Sequence, residues 1–188
     1  MKIVVLKFGG TSVGTIEKIK KVTDIIIEHK KKKNKVIVVS SAMSGVTNDL
    51  IKKSKQICNN FIDSEYDVLV SSGEQVACSL IAGRLNHKGF KSRSWLGWQI
   101  PIFTKGPYTN SRIQQVNKNK LLRFLKEGGI PIITGFQGIN MNERVTTIGR
   151  GGSDASAIMI AKSFKAQRCI IYTAVSYTHL TLPTIVSV

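Results

Sequence analysis

The sequence predicts an α/β protein, a sandwich built around a mostly parallel central sheet. Continuous β-branched runs at residues 2–6 and 36–40 read as strands covered on both faces. Between them, residues 15–29 place Ile16, Ile19, Val22 and Ile26 at helical spacing, with Glu17, Lys18, Lys20 and Lys21 on the opposite side. Strand, helix and strand in this order form a βαβ unit with a right-handed crossover.

The remaining elements follow in order. Residues 29–35, HKKKKNK, suit a solvated helix end, where lysines complement the dipole. Residues 40–48, SSAMSGVTN, follow a buried strand and read as a hydroxyl-rich turn. At residues 71–75, SSGEQ reads as a glycine-flanked helix start, and the helical pattern continues through residues 74–86. A helix near residues 118–127 stops at Gly128-Gly129, and an apolar strand follows at residues 130–134. A polar turn at residues 140–142 precedes the threonine-rich residues 145–148. Ser153 suits the N-cap of a helix over residues 153–164, and residues 169–173 form a last strand.

A chain of 188 residues is one domain or a large piece of one. With 42% hydrophobic residues and a mean hydropathy of +0.01, it can bury a sizeable core. Its 28 Lys+Arg against 11 Asp+Glu give a net charge of +17, which raises the question of a nucleic-acid partner. The lysines spread over several helices and the aromatics Phe61, Tyr66, Trp95 and Trp98 are scattered, so a base-stacking platform is not expected. Cys58, Cys78 and Cys169 lie far apart in apolar or helical stretches, as buried thiols of a reducing compartment do. His29, His87 and His179 show no metal-ligand spacing and read as surface residues. The N-terminal apolar run is too short for a signal peptide, and no uncharged stretch reaches the ~18 residues of a membrane span. A cytoplasmic protein without a membrane partner is expected.

Four glycine- and hydroxyl-rich stretches carry the chemistry. In KFGGTSVG, Gly9 and Gly14 have P-loop spacing, but Thr15-Ile16 stands where Lys-Ser/Thr is required, and G-x-G-x-x-G is absent. Instead Lys7 precedes the glycines, beside amides able to nest an anion ahead of a helix. In Gly149-Arg150-Gly151-Gly152-Ser153-Asp154, an arginine flanked by glycines has room to fork onto a carboxylate or phosphate. Glu74 is either a favourable acid in a first helical turn or a partner for a substrate ammonium. Lys7-Phe8-Gly9-Gly10, the Ser40-Ser41 region and the loop before Ser153 fall at carboxyl ends of strands, where such sheets bind ligands.

KFGGTSVG at residues 7–14, SSAMSGVTN, SSGEQV, GWQ at residues 97–99, GFQG at residues 135–138 and GRGGSDASA at residues 149–157 together resemble the aspartokinases of the amino acid kinase superfamily, over residues 1–173. The resemblance implies a three-layer αβα sandwich of the carbamate kinase type, incomplete at its C-terminus. It also implies ATP-dependent phosphorylation of the L-aspartate β-carboxylate, at the head of lysine, threonine, methionine and diaminopimelate synthesis. It carries Lys7 to charge stabilisation on the γ-phosphoryl group and Asp154 to orienting Lys7. Phe8, Gly9, Gly10 and Thr173 are carried to ATP. Ser41, Thr47, Glu74, Arg150, Gly151, Gly152 and Ser153 are carried to aspartate, with Glu74 at the ammonium and Arg150 at a carboxylate. Mg²⁺ rides on the ATP phosphates, with no metal site of the protein's own. A homo-oligomer is implied for the longer parent.

Beyond Thr173, the family continues with an Asp-x-Asp-Gly-Val type segment. Residues 174–188 instead resemble a translated sequencing adaptor and read as a foreign tail, and the ACT regulatory domains are missing. A weak or inactive chain is therefore expected, with the sheet left unfinished. Two nearby readings are another amino acid kinase and the aspartokinase half of a fusion with homoserine dehydrogenase.

Overall fold

The computed structural model describes residues 2–149, 151–172 and 184–186. The first half holds β1 (Ile3–Phe8), α1 (Ile16–Lys31), β2 (Lys35–Ser40), α2 (Val46–Ile57), α3 (Asp63–His87), β3 (Ser92–Trp95) and β4 (Ile102–Lys105). The second holds β5 (Arg112–Val116), α4 (Asn119–Lys126), β6 (Ile130–Thr134), β7 (Gln137–Ile139), β8 (Val145–Thr147), α5 (Gly152–Ser163), β9 (Arg168–Tyr172) and β10 (Thr184–Val186).

The main sheet runs β10-β9-β1-β2-β6-β3, parallel from β9 to β3, with β10 antiparallel along β9. Alternation along β1 and β2 divides the core in two. Ile3, Val5, Ile37 and Val39 pack with Leu121 and Leu125 of α4 and Ala157 and Ile160 of α5. Val4, Leu6, Val36 and Val38 pack with Ile19, Val22 and Ile26 of α1 and Ala77, Ile81 and Leu85 of α3. With helices on both faces, this is the αβα sandwich expected from the sequence.

A second sheet, β5-β4-β7-β8, was not foreseen. Its strands are three to five residues long, too short for a period of two to stand out. Helix α2 also went unforeseen, because its N-cap is Gly45, with no capping side chain to announce it.

Two smaller expectations are corrected. Cys58 is exposed at the end of α2, while Cys78 and Cys169 are buried. Burial pushes the Cys78 thiol well up and that of Cys169 to about 11, so both are poor thiolates. His29 is half-buried, with Nε2 3.1 Å from the Tyr172 hydroxyl, and its pKa is lowered by burial and then by Lys32. His179 lies outside the described residues. None of the helices in the described residues is long and apolar enough to cross a membrane.

Candidate active site

Strand alternation settles where Lys7 points. It shares the face of Ile3 and Val5, which pack towards α5, and its ammonium meets Asp154 of α5, Nζ to Oδ1, at 2.6 Å. Lys7 is 8% exposed, at the carboxyl end of β1, and so projects from the strand beneath the glycine turn. That explains why the lysine comes before the glycines.

The glycine turn is shaped by close approach. A Cβ at Gly10 would stand 2.9 Å from the Ala42 carbonyl oxygen, and the Gly10 carbonyl accepts the Ser44 amide at 3.1 Å. Gly10 therefore lets the β1 turn lie against the loop after β2. Among the described residues its own amide donates no hydrogen bond, so it is available to a ligand. Phe8 and Gly9 do not line the cleft. The Phe8 side chain is fully buried and stacks on Tyr172 with centroids 4.8 Å apart, and the Gly9 amide donates to the Tyr172 carbonyl at 3.4 Å.

Two helices open onto the same place. α2 begins after Gly45 and α5 after Gly151, both in the left-handed region at φ +88° and +78°. Neither has a side-chain cap, and among the described residues the Thr47 and Asn48 amides of α2 and the Gly152 and Ser153 amides of α5 donate no hydrogen bond, which leaves them for an anion. Ser153 is thus inside the first turn of α5 and not the N-cap expected, because Gly151 and Gly152 carry the turn. Asp154 follows, its amide bonded to the Gly151 carbonyl at 2.9 Å.

Glu74 is the largest departure from the sequence reading. It is no helix start: α3 runs unbroken for 25 residues, with Glu74 in its interior. Ser71 and Ser72 are tolerated there because their hydroxyls fold back onto the Val68 and Leu69 carbonyls at 3.0 and 2.7 Å. Gly73 is needed for contact, since a Cβ there would lie 2.9 Å from the Ala42 Cβ and 3.2 Å from Val46 Cγ1. Glu74 is 3% exposed. Its Oε1 accepts the Ala42 amide at 3.1 Å, while Oε2 is buried with no hydrogen-bond partner among the described residues. Desolvation raises its pKa to about 7, against the lowering effect of its backbone hydrogen bonds. A buried carboxylate oxygen without a donor is costly unless a ligand supplies one.

These groups enclose one cleft of about 320 Å³. It brings together Lys7, Gly10, Ser41, Thr47 and Glu74 with Gly151, Gly152, Ser153 and Asp154. Arg150 and Thr173 lie outside the described residues. Met43, Ser44, Asn48 and Phe136 also line the cleft, although the sequence reading gave them no role. Phe136 holds a φ of +66°, rare for an aromatic residue, and its place within GFQG was the available signal. No cluster of three or more His, Cys, Asp or Glu able to hold a metal occurs among the described residues.

The Gly73 contact gives a direct test. Gly73→Ala is expected to force α3 away from the loop after β2 and to destabilise the fold by about 1–3 kcal/mol, as overpacking does. Thermal unfolding checks it, and an unchanged or higher Tm would show that the crossing is looser than described.

A parallel sheet whose strand ends gather a lysine, two open helix N-termini and a half-partnered acid defines an α/β domain suited to holding a phosphate and a small cationic molecule side by side. Residues 2–179 match the profile of the Amino acid kinase family. The chain belongs to that family.

An aspartokinase of Geobacillus stearothermophilus is 45% identical over 183 residues, covering 97% of this chain and 45% of the relative. One of Rickettsia conorii is 47% identical over 178 residues, covering 93% of this chain and 44% of the relative. Among solved structures, E. coli aspartokinase III in complex with aspartate and ADP superposes with a TM-score of 0.80 at 25% identity, covering 92% of this chain and 49% of that one. Aspartate kinase from Synechocystis superposes with a TM-score of 0.77 at 39% identity, covering 90% and 28%. The chain spans less than half the length of the two curated relatives.

Proposed function

We propose that the cleft transfers the terminal phosphoryl group of ATP to the β-carboxylate of L-aspartate, giving 4-phospho-L-aspartate and ADP. The observation that carries this is one cleft with a Lys7–Asp154 pair beneath uncapped helix N-termini at one side and the unpartnered Glu74 Oε2 at another. The relatives are aspartokinases, and one solved neighbour holds aspartate and ADP.

In this reading, Glu74 takes the aspartate ammonium, completing the partner set of Oε2. Ser41, Thr47, Ser153 and the amides of Gly151 and Gly152 hold the carboxylates, together with Arg150. The β-carboxylate oxygen attacks the γ-phosphorus in line, forming an O–P bond as the bond to the β,γ-bridging oxygen breaks, and the electron pair leaves with ADP. Charge in a loose phosphoryl transfer spreads over the equatorial oxygens, so catalysis rests on positioning and neutralisation. Lys7 and the Gly10 amide meet that charge. Asp154 holds the ammonium of Lys7 in place, and Thr173 contributes to the nucleotide.

The acids lining the cleft are Glu74 and Asp154, and Asp154 is engaged with Lys7. Such a donor set suits a Mg²⁺ carried on the nucleotide phosphates with at most one or two protein ligands. When bound, the cation adds further neutralisation of phosphate charge.

The test is acyl-phosphate trapping. When the chain is continued beyond residue 173 with the matching remainder of the Geobacillus relative, ATP, L-aspartate and hydroxylamine should yield aspartyl hydroxamate. A chimaera that binds both substrates but forms no hydroxamate would refute the assignment.

A further inference from the structure

Asp67 lies seven residues before Glu74 on α3, two turns away on the same face. It is fully buried. Its carboxylate accepts the Thr109 amide on both oxygens, at 3.1 and 3.0 Å, the Thr147 amide at 2.8 Å and the Thr147 hydroxyl at 2.6 Å. Thr109 holds a φ of +64°, a strained conformation for a β-branched residue that the two-oxygen grip keeps in place. The Thr147 carbonyl in turn accepts the Ser111 amide at 3.0 Å, so one side chain ties α3 to the loop before β5 and to the end of β8.

Asp67, Thr109 and Thr147 do not themselves line the cleft, but the elements they tie together supply two parts of its lining. α3 carries Glu74, while β8 ends at Thr147 and leads directly into Gly151, Gly152 and Ser153. We infer that Asp67 is a positioning residue that fixes the separation of these two parts, and thereby the length of amino acid the cleft accepts. The inference rests on the proposed reading, in which Glu74 holds the ammonium and the lining after β8 holds a carboxylate. A rigid span admits aspartate and rejects glutamate, which is one methylene longer. A loosened span lets the longer chain in.

Asp67→Asn keeps the side chain's shape but leaves one acceptor oxygen for three donors and turns an NH₂ towards one of them. In the intact chain, calorimetric titration with L-aspartate and L-glutamate should show aspartate affinity lowered about tenfold or more. The aspartate-to-glutamate preference should narrow by about tenfold, the scale of a one-methylene discrimination. ADP·Mg²⁺ affinity should stay within about twofold, which a general loss of structure would not allow. Thr147→Val removes only the 2.6 Å hydroxyl bond and should narrow the preference in the same direction by less. It supplies the reading if Asp67→Asn does not fold. A folded variant of either kind with an unchanged preference overturns the inference. A wild-type chain that binds neither amino acid overturns the reading of the cleft itself, and this inference with it.

Discussion

Replacing Lys7 with methionine should lower acyl-phosphate formation by about 10³-fold or more, while L-aspartate affinity stays within a few-fold of wild type. Methionine keeps an unbranched apolar stem and removes the charge. Lys7 is the one cation among the described residues lining the cleft, and Arg150 is assigned to the aspartate carboxylates and not to the γ-phosphoryl group. The loss is compounded by what remains. Asp154 is left beside the phosphates without its partner, turning a neutral pair into a repulsive charge. Aspartate is spared because its ammonium is assigned to Glu74, on α3 and not on β1. Hydroxamate formation in the chimaera and calorimetry with aspartate make the comparison. Undiminished turnover in the variant would remove Lys7 from the mechanism.

Glu74→Gln should have two opposite effects, and pH separates them. Aspartate affinity should fall by about 100-fold or more, the usual cost of breaking a buried charge-assisted pair. Yet the unliganded variant should be more stable at pH 8. The Glu74 carboxyl is raised from 4.5 to about 7, so between those values the folded chain binds more protons than the unfolded one. By linkage, stability falls as pH rises through this window and levels off above it. The strain on ionised Glu74 amounts to about 3 kcal/mol as an order of magnitude, and glutamine removes it. The stability advantage of the variant should therefore shrink towards zero as pH approaches 4.5. In the wild type, aspartate needs the ionised acid, so binding below pH 7 should release up to about one proton and weaken roughly tenfold per pH unit. Denaturant melts across pH, and calorimetry in buffers of different ionisation enthalpy, measure both effects. Proton uptake on binding, or a variant less stable than wild type at pH 8, would contradict this account.

The legible parts of the sequence were those where local chemistry and global fold agree. Lys7 and Asp154 stand in two glycine-bounded motifs. Strand alternation at β1 and the helix start after Gly151 then bring them to 2.6 Å without further help. Glu74 was legible as a ligand candidate but not as a helix-interior residue. Ser71-Ser72-Gly73 reads as a break on local propensity, and only the contact with Ala42 and Val46 shows why glycine belongs there. Gly45 hid α2 in the same way, since the helix has no capping side chain to reveal its start. Asp67 was invisible because its four hydrogen bonds reach residues 42 and 80 positions away. The second sheet gave no usable period, since its strands are short and, as in Arg112–Val116, mostly polar.

The central claim is that one cleft holds the terminal phosphate and the amino acid together. A crystal structure of the chain with L-aspartate and a non-hydrolysable ATP analogue tests it most directly. The aspartate ammonium should lie within hydrogen-bond distance of Glu74 Oε2, with the terminal phosphate against Lys7 Nζ and the Gly10 amide. The acceptor carboxylate oxygen should stand roughly 3–3.5 Å from the γ-phosphorus. Either ligand seated away from these groups, or Lys7 still closed on Asp154 with no phosphate in reach, would contradict it.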